Sequence, residues 1–261
     1  MKRLGTFMLC TALLFSAAAC GKKNPVDDKA LDKLEEVQKQ TMKYQSASYE
    51  LRVKTAVDKE TASIKAAGKF VLSDKPQFSF ILDMTANGQS YKDFADIYMY
   101  DNTLYLNMMG SKMKMPFSSA ENTIEEFTDE GKGMDRKTFK KLLKKASFDN
   151  DKIVLVIDGK KLTKYVKEAS KDTETFTSQY KNTEYEDIKL EIAYDKKAYL
   201  TGLTSNFTML SNDQTSKASF TLKLSERDRI SDIDFPDNLN EYQIPGTAGQ
   251  EIPSLIPGQG L

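Results

Sequence analysis

The sequence contains no histidine and no tryptophan, and only two cysteines, Cys10 and Cys20. Histidine is the commonest general base and a frequent metal ligand. Without it neither a Ser-His-Asp nor a Cys-His site can be assembled, and zinc sites of the usual Cys/His type are excluded. No Gly-rich phosphate loop and no calcium loop of EF-hand spacing is present. Carboxylates are plentiful, among them Glu125, Glu126, Glu184, Glu186 and Asp187, but they lie among lysines in polar stretches and read as solvated surface charge. The expectation is a non-enzymatic protein that needs no cofactor and no metal. Glycine (13) and proline (7) are sparse, and four of the prolines fall after Phe235.

Charge of one sign is lacking too. Thirty-eight basic residues balance thirty-eight acidic ones, which argues against a nucleic-acid partner. Long apolar runs are confined to the N-terminus. Met1-Lys2-Arg3 precedes an apolar stretch from Leu4 to Ala19, which closes on Ser16-Ala17-Ala18-Ala19-Cys20. A basic start, a short apolar middle and small residues before a cleavage point predict a secretory signal over residues 1–19. The stretch is shorter than the roughly 20 apolar residues a spanning helix needs. The small residues before Cys20 resemble the bacterial lipobox, although Ala17 stands where the strongest form of that motif has leucine. The resemblance implies that Cys20 is acylated and becomes the mature N-terminus. Cys10 leaves with the signal, so no disulfide forms and the core must hold the fold. Two or more acyl chains anchor stably, which places the protein on the extracytoplasmic face of the cell membrane. Residues 20–28 read as a polar tether, and residues 29–235 as one domain.

Within that domain the periodicity changes twice. Leu31, Leu34, Val37, Thr41 and Met42 recur at helical spacing and predict a helix from Asp28 to Gln45, capped by Asp27 or Asp28. Alternation then takes over: Tyr49, Leu51, Val53, Thr55 and Val57; Ile64, Ala66, Gly68, Phe70 and Leu72; Phe78, Phe80, Leu82 and Met84. Asn87-Gly88 predicts a two-residue hairpin. Tyr91–Tyr100, a turn at Asp101-Asn102, Leu104, Leu106 and Met108, then Met113, Met115 and Phe117 continue the meander. Tyr98, Tyr100 and Tyr105 suit a cross-strand stack. The methionines at 108, 109, 113 and 115 suit irregular gaps or an adaptable greasy lining better than copper, since no histidine or thiol accompanies them.

The middle reads as helical. Ser118-x-x-Glu121 matches a capping box ahead of Ile124 and Phe127. Asp135 caps a second predicted helix carrying Phe139, Leu142, Leu143 and Ala146, with a basic face of Lys137, Lys140, Lys141, Lys144 and Lys145. Ile153–Ile157 is an apolar run of strand length, read as buried on both faces, and a third helix spans Lys160 to Ser170. Strands return at Ile188–Tyr194, after a turn at 195–197, and on either side of Asn212-Asp213. Residues 236–261 form a Pro- and Gly-rich tail.

Helix, strands, central helices, strands, behind a lipobox: this order resembles the LolA/LolB lipoprotein-carrier and LppX/LprG lipid-carrier superfamily. The resemblance implies an α+β fold, a strongly curved antiparallel sheet forming an open half-barrel. The N-terminal and central helices cover its concave face, and acyl chains bind between. The lining residues would be Phe78, Phe80, Leu82, Met84, Leu104, Leu106, Met108, Phe220, Leu222 and Leu224. Two alternatives remain open at this level: helices that fill the face as a dry core, and a structural lipoprotein that binds a partner envelope protein with no small ligand.

Overall fold

A computed structural model describes residues 26–58, 60–117, 135–169, 183–211 and 214–244. The signal, the start of the tether, the Ser118 capping box, Asn212-Asp213 and the tail beyond Ile244 lie outside these residues. The described chain is α+β. Twelve strands form one antiparallel sheet that does not close, accompanied by three helices. In chain order these are α1 (Asp28–Thr41), β1 (Ser46–Val57), β2 (Glu60–Val71), β3 (Gln77–Ala86), β4 (Gln89–Tyr100), β5 (Thr103–Met108) and β6 (Ser111–Pro116). There follow α2 (Arg136–Leu142), β7 (Leu143–Asp149), β8 (Lys152–Ile157), α3 (Gly159–Ala169), β9 (Thr183–Tyr185), β10 (Ile188–Tyr194), β11 (Leu200–Ser211) and β12 (Gln214–Ser225). The strand order is β6-β5-β4-β3-β2-β1-β12-β11-β10-β8-β7, with β9 pairing the far end of β11.

The meander follows from its turns. Asn87-Gly88 and Asp101-Asn102 both hold positive φ at two successive positions, as a type I′ hairpin requires. Met109-Gly110 does the same between β5 and β6, although methionine is no turn former; Gly110 was the only local signal. Asp27 caps α1 by accepting the amide of Lys29 at 2.9 Å, and the helix ends at Thr41, short of Gln45. Asp195 closes the β10–β11 turn by accepting the amides of Lys197 and Tyr199.

The second central helix is much shorter than its periodicity predicts. Asp135 caps it, accepting the amide of Thr138 at 2.9 Å, but helix gives way to strand at Leu143. β8 lies beside β10 and needs a partner on its other side; β7 supplies it, with a register shift between Leu143 and Lys145. Tertiary pairing here overrides local helix preference. The basic helix face is thereby divided, since Lys144 and Lys145 stand on β7 and not on α2. β8 itself buries one side only: Ile153, Leu155 and Ile157 are buried, while Val154 and Val156 are half-buried.

Each sheet edge is met at one point by a segment from outside the sheet. Val26 bridges Ala146 on β7, and Gln243 bridges Met113 on β6. Each bridge occupies part of an edge that could otherwise pair with another chain. Val26 is buried and Asp27 and Asp28 form the cap and first residue of α1, so residues 26–28 of the segment read as tether pack with the domain.

α1, α2 and α3 pack on one side of the β7–β8–β10–β11 half, where Leu31, Phe139, Ile153, Leu155 and Ile192 are fully buried. Arg136, itself buried, fastens α2 to α1. It donates to Asp32 at 2.5 Å and to Glu35 at 2.9 Å, while Lys140 reaches Asp28 at 2.5 Å.

Candidate functional site

Antiparallel pairing places directly opposed residues on the same face, so the register fixes which side chains share a surface. One row across the sheet reads Met115, Leu104, Met99, Phe78, Phe70 and Ala47. The next reads Met113, Leu106, Ile97, Phe80, Gly68, Tyr49 and Leu224. A third runs from Met108 through Ala95, Leu82, Ala66, Leu51, Leu222 and Leu203 to Ile192 and Ile153. A fourth passes through Met84, Ile64, Val53, Phe220, Ser205, Leu190 and Leu155. All ten residues expected to line a ligand site therefore stand on one side of one sheet, the side that carries the helices.

That inner face has two parts. The core beneath the helices is closely packed, and it includes no residue of β1–β6. On β3 and β5, by contrast, Phe78, Phe80, Leu82, Met84, Leu104 and Leu106 are only half-buried. Met108 is buried, Phe220 and Leu222 touch the packed core, and Leu224 is half-buried at the boundary. Among the described residues α1 packs on β7, β8 and β11 and α3 on β9, so the expectation that helices cover the whole concave face holds for only one half of it.

The rows add residues that strand-by-strand reading did not assign to the face. Phe70, Ile97, Met99, Met113 and Met115 follow from the same alternation once neighbouring strands are aligned. Tyr49 follows from a different feature. Opposite it on β2 stands Gly68, and the Tyr49 ring occupies the room this leaves. The ring stacks on Phe78 (5.9 Å between centroids) and Phe80 (6.2 Å), and its hydroxyl donates to the Ser79 carbonyl at 2.5 Å. Burial pushes the Tyr49 hydroxyl well above its ordinary pKa. A Cβ on Gly68 would lie 1.8 Å from that same carbonyl oxygen.

The outer face differs. The segment after β12 runs across its β3–β6 end. Ser46 Oγ accepts the amide of Ile230, and Gln77 Oε1 accepts that of Ile233. Phe235 packs on Tyr98 and Tyr100, and Tyr242 packs edge-on against Tyr105. Tyr98 and Tyr105 do oppose each other, but their ring partners come from this segment. Beneath it burial, with the nearby Asp96 charge, pushes the Tyr98 hydroxyl up to about 12. Burial also raises the Asp96 carboxyl, against the hydrogen bond it accepts from Asn107 at 3.0 Å. A lone raised carboxyl is not the facing pair that glycoside hydrolysis requires. Among the described residues no cluster of three metal-binding side chains occurs, and no helix is long and apolar enough to cross a membrane.

No protein-family model and no curated protein matches this sequence. Solved structures of similar shape include LprF from Mycobacterium bovis, at 12% identity and a TM-score of 0.39, covering 81% of this chain and 98% of that one. A putative outer membrane lipoprotein-sorting protein domain from Vibrio parahaemolyticus aligns at 11% identity and a TM-score of 0.29, over 82% of this chain and 97% of its own. A DUF1329 family protein from Desulfovibrio piger aligns at 12% identity and 0.27, over 81% and 96%. The functional argument rests on the face itself.

Apart from the hydroxyls of Tyr49 and Ser205, the residues of these four rows carry no nucleophile, acid or base. The chemistry of the face is that of a broad hydrocarbon surface with thioether edges, able to adapt to a flexible apolar ligand and to orient it only weakly.

Proposed function

We infer that this protein is an envelope lipoprotein, anchored through acylated Cys20 on the extracytoplasmic side of the cell membrane, that binds a lipid or other elongated hydrophobic ligand along the inner face of β1–β6. It acts as a binding module and not as an enzyme. The single observation that carries the reading is the half-buried state of Phe78, Phe80, Leu82, Met84, Leu104 and Leu106 on a continuous apolar face whose other half is packed dry. Apolar patches of such extent on exported domains mark binding surfaces. Covering about ten methylene groups gains about 8 kcal/mol, which corresponds to a dissociation constant near 1 μM before ordering costs are subtracted.

A partner protein that docks on the tail is less well supported. Phe235 and Tyr242 are already engaged by the chain's own outer face, so such a partner would have to use residues beyond Ile244.

Native mass spectrometry of the mature chain, residues 20–261, carrying Cys20→Ser tests the reading, because that form lacks both the apolar signal and the covalent lipid and any lipid mass it bears is non-covalent. The expected result is a population bearing a lipid-sized adduct that organic solvent releases. A ligand-free species that takes up nothing from a membrane-lipid extract would contradict it.

A further inference from the structure

Among the described residues the outer face of β1, β2, β8, β10, β11 and β12 carries no helix, and the segment after β12 bonds to it at Ser46, the first residue of β1. Apart from Val154, Val156, Leu210 and two glutamates, its side chains are mainly hydroxyls, small residues and cations. Lys54, Lys65, Lys69, Lys217, Lys223 and Lys152 all point outward and are exposed, and none of the six forms an ion pair among the described residues. Arg52 and Lys189 join them, each beside one carboxylate: Glu50 at 3.6 Å and Glu191 at 2.6 Å. Eight cations thus face two carboxylates on these six strands, in a chain whose overall charge is zero. The adjoining β3 adds one more acid, Asp83, opposite Lys65.

The arrangement is costly if it serves nothing. Arg52 stands directly opposite Lys65, and like charges directly opposed on a sheet destabilise it. Lys54 and Lys217 sit on adjacent strands one register step apart. Between the cations lie Ser63, Thr85, Asn206, Thr208 and Ser219, which with Lys54, Lys217 and one carboxylate, Asp187, border a cleft of about 590 Å³; Asp187 is paired with Lys144 at 2.6 Å. Hydroxyl and amide donors beside ammonium groups suit phosphate oxygens. Phe207 and Ala218 of the packed core also reach this cleft, but the cations beside it stand on the opposite face of the sheet from the apolar rows.

We propose that this basic outer face lies on the anionic headgroups of a phospholipid bilayer. Charge complementarity selects the partner, since each basic residue near such a surface adds attraction and six of them are unneutralised. The anchor makes the encounter unavoidable. Cys20 precedes Val26 by six residues, a reach of about 20 Å, and Val26 is fixed to β7, next to the strand that bears Lys152. This part of the argument rests on acylation of Cys20. Contact through the outer face turns the apolar inner face of β1–β6 away from the leaflet that holds the anchor, so the ligand is exchanged on the side facing away from that leaflet.

Vesicle flotation of the mature chain, residues 20–261, carrying Cys20→Ser tests the proposal without the anchor and without the apolar signal. Vesicles of phosphatidylcholine alone are compared with vesicles containing about one-third phosphatidylglycerol, at low and high salt. Expected are binding to the anionic vesicles only, loss of binding at high salt, and a roughly tenfold or greater drop in partitioning for Lys54→Gln/Lys65→Gln/Lys217→Gln. A second triple variant, Lys39→Gln/Lys196→Gln/Lys197→Gln, removes as many charges from elsewhere and should partition like the parent. Circular dichroism of both variants checks that they fold. Equal losses in the two variants, equal binding to neutral vesicles, or binding to a soluble polyphosphate but not to anionic vesicles would each overturn the proposal. None of these outcomes bears on ligand binding by the inner face, which the adduct measurement reads separately. A failure of acylation shows instead as an unmodified mass for the native chain.

Discussion

At the scale of single residues, the sheet depends on one absent side chain. Gly68 has no positive φ to explain it; it is needed because a Cβ there would lie 1.8 Å from the Ser79 carbonyl oxygen, the atom that the Tyr49 hydroxyl reaches across β2. The alternation of Ile64, Ala66, Gly68 and Phe70 is legible in the sequence, and so is the facing run from Tyr49. That the two meet at Gly68 is not, because register is set by distant pairing and not by local pattern. Gly68→Ala should therefore destabilise the fold by about 1–3 kcal/mol, the usual cost of overpacking, with the midpoint of urea unfolding as the readout. Tyr49→Phe, which keeps the ring and loses only the hydrogen bond, should cost about 1 kcal/mol. An alanine variant as stable as the parent would show that the close approach of the Ser79 carbonyl does not require glycine.

At the scale of elements, the sequence is read well where a strand's surroundings resemble those of its neighbours and badly where a distant partner decides. Asn87-Gly88 and Asp101-Asn102 announce their hairpins because positive φ narrows the choice of residue. The stretch Phe139–Ala146 carries helical spacing, yet its second half is claimed by β8 as a strand. Docking of Phe235 and Tyr242 on the outer tyrosines leaves no periodic trace at all. What holds α2 after its shortening is a charge clamp. Arg136 is buried with its Nε unpaired among the described residues, and its guanidinium reaches two carboxylates on α1. The acidic partners are substantially exposed, so the clamp is worth less than a fully buried pair. Arg136→Met should lower stability by about 2 kcal/mol and should loosen the α1–α2 contact first, seen as faster hydrogen exchange in Asp28–Thr41 than in β10. Unchanged exchange in α1 would assign the clamp no structural role.

At the scale of the whole molecule, one sheet presents two different unfinished surfaces. Helices complete the inner face over β7–β11, and the segment after β12 completes the outer face over β3–β6. Among the described residues, what remains without cover is apolar on the inside of β1–β6 and cationic on the outside of the central strands. The candidate lining was legible as alternating apolar residues, and the register gathers all ten on one side. That the described helices pack on only half of this side was not legible, because alternation looks the same whether or not a helix rests on it. The central claim is that the bare apolar half holds a hydrocarbon chain. It is tested most directly by titrating the delipidated Cys20→Ser protein with a fluorescent polyunsaturated fatty acid, beside a variant carrying Leu82→Glu and Leu106→Glu on half-buried positions of the face. The account predicts saturable binding in the micromolar range by the parent and at least a tenfold weaker constant for the variant, with both proteins unfolding cooperatively. Equal affinity in the two, or no saturable binding by the parent, would contradict it.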